Sequence, residues 1–123
     1  MQLTPDSQST RWRITAYSDT SVTAGQQALT RSTVVTAHTL LPWPVARMAD
    51  LESTHLEPII ELGVDLILLG AHDAPRWPTP EVIGYAAMRR VGLEVMSIGA
   101  AARTYNLLLA DERPVALALI LPG

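Results

Sequence analysis

Residues 64–70 read VDLILLG, which from Leu66 onward is a short continuous apolar run closed by a glycine. A half-buried strand would alternate apolar with polar residues, and a surface helix would repeat every three or four. This run does neither. An unbroken run of this length suits a strand covered on both faces, which is where strands lie in sheets joined by crossover helices. It predicts a buried central strand.

C-terminal to it, the loop AHDAPRW (71–77) leads into PTPEVIGYAAMRRVG (78–92). Thr79 suits a helix N-cap, Pro80 the first helical position and Gly92 the left-handed C′ position. Arg89 and Arg90 near the helix end complement its dipole. LEVMSIG (93–99) then reads as a strand, AAARTYNLLLA (100–110) as a helix and PVALALIL (114–121) as the last strand. The βαβαβ order predicts parallel strands with right-handed crossovers.

N-terminal to the run, THLEPIIELG (54–63) places Leu56, Ile59, Ile60 and Leu62 on one helical face. Ser53 or Thr54 can cap its start, Gly63 can close it, and Pro58 requires a place in the first turn. PWPV (42–45) interrupts any strand, because neither proline can donate to a ladder. RWRITAY (11–17) alternates Trp12, Ile14 and Ala16 against Arg13, Thr15 and Tyr17. With SVTAG (21–25) and TRSTVVTAHTL (30–40) it predicts a small antiparallel β meander. Residues 1–10, MQLTPDSQST, lack periodicity and are expected to form a flexible tail. The expectation is therefore one α/β domain over 11–123. It is layered, with an N-terminal antiparallel meander joined to a βαβαβ half in a mixed central sheet, and helices packed on the sheet.

The 123 residues are enough to bury a core without staples. A net charge of −3, with all nine cations arginines and scattered, argues against nucleic acid as a partner. With no cysteine and no lysine there is no disulfide, thiol nucleophile, Schiff base or P-loop. The apolar runs fall far short of the roughly 20 residues that span a bilayer, and the N-terminus carries no secretory pattern. The expectation is a cytoplasmic protein without membrane insertion. Hydrophobic residues make up 48% and charged residues 17%, which predicts association with a second copy or another protein.

EVMSIGAAARTYNLLLADERPVALALI (94–120), preceded by VDLILLG and by Trp43 after the meander, resembles domain of unknown function family 498. The resemblance runs from about Ile14 onward and rests on Met96, Ala101, Ala102, Arg103, Thr104, Tyr105, Asn106, Leu108 and Arg113. The family includes a mitochondrial complex I assembly factor and an adipogenesis-associated protein. The resemblance implies a layered α/β domain with a mixed sheet, no established enzymatic activity, and a role in assembly or scaffolding. Two positions depart from the family pattern: Gly70, Ala71 and His72 stand where members often carry Gly-Thr-Gly, and Ser97 and Ile98 stand where Asp-Thr follows the methionine.

The polar run of Arg103, Thr104, Tyr105 and Asn106 interrupts an otherwise apolar helix, so some of these side chains need partners inside the fold. One reading has Arg103, Tyr105 and Asn106 holding the helix to the meander. The other makes the helix start from Gly99 to Arg103 an anion site, with free N–H groups and the Arg103 guanidinium facing a carboxylate or phosphate. His72, Asp73, Arg76 and Trp77 follow the central strand, at the end of the sheet where ligands of α/β proteins bind. No nucleophile accompanies them, and a solvated loop is the simpler expectation. His38, His55 and His72 lack zinc-site spacing, so neither metal nor cofactor is expected. Trp43 reads as a core plug, and Trp77 as either a plug or a flat surface for a partner. The function expected is that of a non-enzymatic protein acting through protein contacts. The alternative is a small-molecule or anion-binding protein or enzyme that uses the Gly99 to Arg103 helix start with the His72 to Trp77 loop.

Overall fold

The computed structural model describes residues 11–123, so the expected tail over 1–10 lies outside the described residues. Strands β1 (Ile14–Tyr17), β2 (Val22–Ala24) and β3 (Gln27–Leu29) form an antiparallel meander. The rest comprises β4 (Thr33–Val35), β5 (Leu40–Pro42), α1 (Ser53–Ile60), β6 (Leu66–Ala71), α2 (Pro80–Met88), β7 (Gly92–Met96), α3 (Ile98–Ala110) and β8 (Val115–Ile120). The second sheet has the order β5-β4-β8-β6-β7. Its β8, β6 and β7 run parallel, while β4 and β5 join as antiparallel strands. The expected mixed sheet is thus present.

The connection β6-α2-β7 steps one way across the sheet and β7-α3-β8 steps back, so crossovers of one hand put α2 and α3 on opposite faces. The core divides accordingly. Ile67, Leu69, Ala71, Ala116, Ala118 and Ile120 pack with Leu56 and Ile59 of α1, Val82 and Ala86 of α2, and Trp43. Leu68, Val115, Leu117 and Leu119 pack with Ala101, Tyr105 and Leu109 of α3 and with Ile14, Val22 and Leu29 of the meander. Strands β6 and β8 are buried on both sides, which explains their unbroken apolar runs. Close approach of α3 depends on Gly70, where a Cβ would stand 2.9 Å from the Ala101 Cβ.

Several local expectations are corrected. The β-branched run near Val34 leaves the meander: β4 pairs with β8, and the third meander strand is the less strand-like Gln27–Leu29. A bulge between Ile14 and Ala16 breaks the alternation of β1 and leaves Ala16 exposed. Neither Ser53 nor Thr54 caps α1. The cap is Glu52, whose N–H donates to His55 Nδ1 at 2.9 Å. Pro58 lies beyond the first turn, removing one internal hydrogen bond from a short helix held by buried Leu56 and Ile59. Gly92 is the first residue of β7, in register with Leu66. The left-handed residue after α2 is Arg90 (φ 61°), because the helix must end early enough for β7 to pair from Gly92. Thr79 does cap α2, accepting from the Val82 N–H, with Pro80 in the first turn, and Gly63 closes α1 at φ 84°. Trp43 is a core plug, its Nε1 donating to the His55 carbonyl at 3.0 Å. Among the described residues no helix is long and apolar enough to cross a membrane.

Candidate functional site

Successive residues of a helix point about 100° apart, so the polar run of α3 addresses four different neighbours. The Tyr105 hydroxyl donates to the Trp12 carbonyl at 2.6 Å. Asn106 pairs with both backbone groups of Ile14: its Oδ1 accepts the N–H at 2.9 Å and its Nδ2 donates to the carbonyl at 2.8 Å. Arg103 Nη1 donates to the Tyr17 hydroxyl at 2.6 Å, with its guanidinium 5.9 Å from the centre of that ring. Thr104 Oγ1 donates to Met96 Sδ at 3.6 Å. Arg103, Tyr105 and Asn106 therefore all reach residues 12–17, and Arg11 adds a hydrogen bond back to the Leu109 carbonyl. Tyr105 is fully buried. Loss of solvation raises its hydroxyl pKa far above the ordinary tyrosine value, against a smaller opposing pull from the Arg11 charge.

The start of α3 is capped by Ser97, whose Oγ accepts the Ala100 N–H at 3.3 Å. Tyr17 lies against its first turn so closely that a Cβ on Gly99 would be 2.8 Å from the tyrosine Cε1.

After β6, His72 and Asp73 turn to different partners. His72 Nε2 is 3.0 Å from the Ala46 carbonyl oxygen, and Asp73 Oδ2 accepts the Met48 N–H at 3.1 Å. Asp73 Oδ1 is buried without a hydrogen-bond partner among the described residues. The next peptide, between Ala74 and Pro75, is cis. Arg76 is exposed, and Trp77 is 69% exposed, which rules out a core plug at that position.

A shallow cleft of about 290 Å³ opens where the C-terminal ends of β6 and β7 lie side by side. Their chains leave there for helices on opposite faces, which makes it the switch point of the sheet. Its walls are Asp19, Ala71, His72, Ala74, Ser97 and Ile98. It brings His72 to the start of α3, while Arg103, Tyr105, Asn106, Asp73, Arg76 and Trp77 lie outside its lining. Tyr17 and Asp19 come from the meander, and nothing in their local sequence marks them for this place. Among the described residues no three metal-binding side chains cluster.

A second surface surrounds α2. Val82 and Ala86 face the core, which turns Gly84, Ala87 and Met88 outward and Ile83 to the flank. Met88 is 85% exposed and Ile83 47%. Tyr85 ties the helix to α1 through a 3.3 Å hydrogen bond to Glu57, and the Arg89 guanidinium lies 4.7 Å over the Tyr85 ring. The sequence did hold a signal for this surface, since VIGYAAM is apolar all round and a core-facing helix needs only one such face.

Comparison with known proteins agrees with the fold. A Xanthomonas campestris protein is 33% identical, with a TM-score of 0.83 over 91% of this chain and 86% of its own. A Bordetella parapertussis protein is 31% identical, with a TM-score of 0.82 over 92% of this chain and 97% of its own. A Bordetella pertussis protein described as a Mth938-like domain is 26% identical, with a TM-score of 0.81 over 100% of this chain and 94% of its own. No curated protein matches. Residues 14–120 match the family described as protein of unknown function (DUF498/DUF598), and the chain belongs to that family.

Proposed function

We propose that this protein acts through contact with another protein chain rather than through catalysis, and that the outer face of α2, with Trp77 ahead of it, is the contact surface. The observation that carries the reading is the exposure of large apolar side chains on and just before this helix: Met88 is 85% exposed at its end, Ile83 47% on its flank and Trp77 69% in the loop ahead of it. Exposed aromatic and methionine side chains are favoured at the centres of protein interfaces. The sequence resemblance to a family that includes an assembly factor among its members points the same way. We take the setting to be the cytoplasm, since a chain without cysteine suits a reducing compartment. The tagged protein, carrying a photo-crosslinking residue at Ala87 and irradiated in its own cells, should run above the mass of one chain. Met88→Glu in the same chain should return it to single-chain mass. Single-chain mass after irradiation of the protein that keeps Met88 would refute the reading.

A second reading rests on the cleft, where His72 and the start of α3 meet at the switch point. It makes the cleft a small-molecule site, with Asp19 favouring a ligand that offers hydrogen-bond donors over a bare anion. Titration with inorganic phosphate and with a neutral sugar, followed by amide chemical shifts, tests it. Shifts confined to residues 71–74 and 97–100 would favour the cleft, and no shift at saturating concentrations of either probe would dismiss it.

A further inference from the structure

We infer that the outer face of α2 pairs with the same helix of a second copy, antiparallel and about a two-fold axis; this rests on the contact surface proposed above and names its occupant.

The argument starts from the order of residues along the helix. Glu81 stands in the first turn, the small residues Gly84 and Ala87 in the middle, Met88 at the last helical position, and Arg89 and Arg90 just after it. A two-fold interface must be complementary to itself, because each residue meets its counterpart counted from the other end. Run antiparallel, two copies of α2 bring Glu81 of each to the Arg89 and Arg90 end of the other. Run parallel, they bring like charges together at both ends. The antiparallel arrangement also sets the positive N-terminal end of each helix dipole beside the negative C-terminal end of the other.

The middle of the stripe allows the approach that such a pair needs. A Cβ on Gly84 would meet nothing within 4 Å among the described residues, so this position faces open space, and with exposed Ala87 it lets a facing helix come near. Met88, 85% exposed on the outward face, supplies apolar area that a neighbour can cover, with Ile83 on the flank adding to its margin. Arg89 is held on the flank by its stacking on Tyr85. A nine-residue helix offers a small interface, which makes the pair weak and dependent on concentration.

Sedimentation of the purified full chain across a wide dilution series tests the pairing. The expected result is a monomer–dimer equilibrium that Gly84→Arg weakens at least about tenfold, or about 1.4 kcal/mol. Gly84→Arg points into open space and improves helix propensity, so the fold itself is retained. Glu81→Arg should also weaken the dimer, and adding Arg89→Glu with Arg90→Glu to that chain should restore it. A single-chain mass at every concentration, or a dimer indifferent to Gly84→Arg, overturns the pairing. A photo-crosslinking residue at Met88 in living cells then separates the two proposals. Crosslinks to a second copy support both, crosslinks only to a different protein overturn the self-pairing and leave the contact reading standing, and no crosslink overturns both.

Discussion

The side-chain amide of Asn106 pairs with the backbone of Ile14 as a neighbouring strand would, accepting its N–H at 2.9 Å and donating to its carbonyl at 2.8 Å. The contact falls where β1 is bulged and its register with β2 shifts. Asparagine suits the place because one planar group supplies both a donor and an acceptor. Asn106→Asp keeps the size but sets a carboxylate against the Ile14 carbonyl. The expected cost at neutral pH is on the order of 1–3 kcal/mol. The neutral acid can donate where the carboxylate cannot, so its folded pKa stands above the unfolded one. The deficit should therefore be largest above the folded pKa and shrink as pH falls toward about 4. Urea unfolding of both proteins at neutral and mildly acid pH checks this, and a pH-independent difference would mean the amide donor is unimportant.

Tyr105→Phe removes the bond to the Trp12 carbonyl without opening a cavity, and should cost about 1–2 kcal/mol at neutral pH. Burial holds the Tyr105 pKa above that of the unfolded chain. Its stabilisation is thus complete below about pH 10, the ordinary tyrosine value, and declines as pH rises above it by about 1.4 kcal/mol per unit. The advantage of the parent over the variant should narrow between about pH 10 and 11. Parallel denaturant curves that keep a constant separation there would contradict the burial argument.

Gly70→Ala puts a methyl 2.9 Å from the Ala101 Cβ, with the Leu119 Cδ2 at 3.4 Å on another side. Strand and helix both carry fixed core contacts, so the expected loss is about 1–3 kcal/mol. Ala101→Gly in the same chain should recover part of it, leaving the double variant more stable than the sum of the singles by at least about 0.5 kcal/mol. Simple additivity would show that α3 does not rest on Gly70.

Glu112 takes φ 58° after α3, a conformation that costs a non-glycine residue about 1–2 kcal/mol. Glu112→Gly should raise stability by up to about 1 kcal/mol, the greater freedom of the unfolded glycine offsetting part of the relief. Gly92, which reads in sequence as the left-handed terminator of α2, should respond differently. Gly92→Ala meets the Leu66 Cδ1 at 3.0 Å and carries no backbone strain, so a small loss from crowding is expected. Melting temperatures of the two variants should move in opposite directions.

Arg103→Ala should change stability by less than about 0.5 kcal/mol, because the Tyr17 hydroxyl it leaves is exposed and can turn to water. A larger loss in a thermal melt would make Arg103 a structural pin equal to its neighbours Tyr105 and Asn106.

The amino-acid sequence by itself determined the elements that local physics governs. The unbroken runs of β6 and β8 announced strands covered on both faces, Thr79 and Pro80 marked the start of α2, and Gly63 marked the end of α1. The order βαβαβ was enough to set the parallel core, since chain chirality leaves few ways to connect it. What remained open depended on partners distant in sequence. Residues 33–35 look like meander strand, yet they pair with β8 more than 80 positions away, because a sheet edge accepts whichever strand the fold brings to it. Gly92 and Arg90 exchange roles because the register of β7 against β6, and not helix propensity, fixes where α2 stops. The four polar residues of α3 were visible at once as needing partners, but only the packed meander chose Trp12, Ile14 and Tyr17. Tyr17 and Asp19 reach the first turn of α3 and the cleft beside it for the same reason: long-range packing placed them, and no local pattern encodes a contact between residues some 80 positions apart.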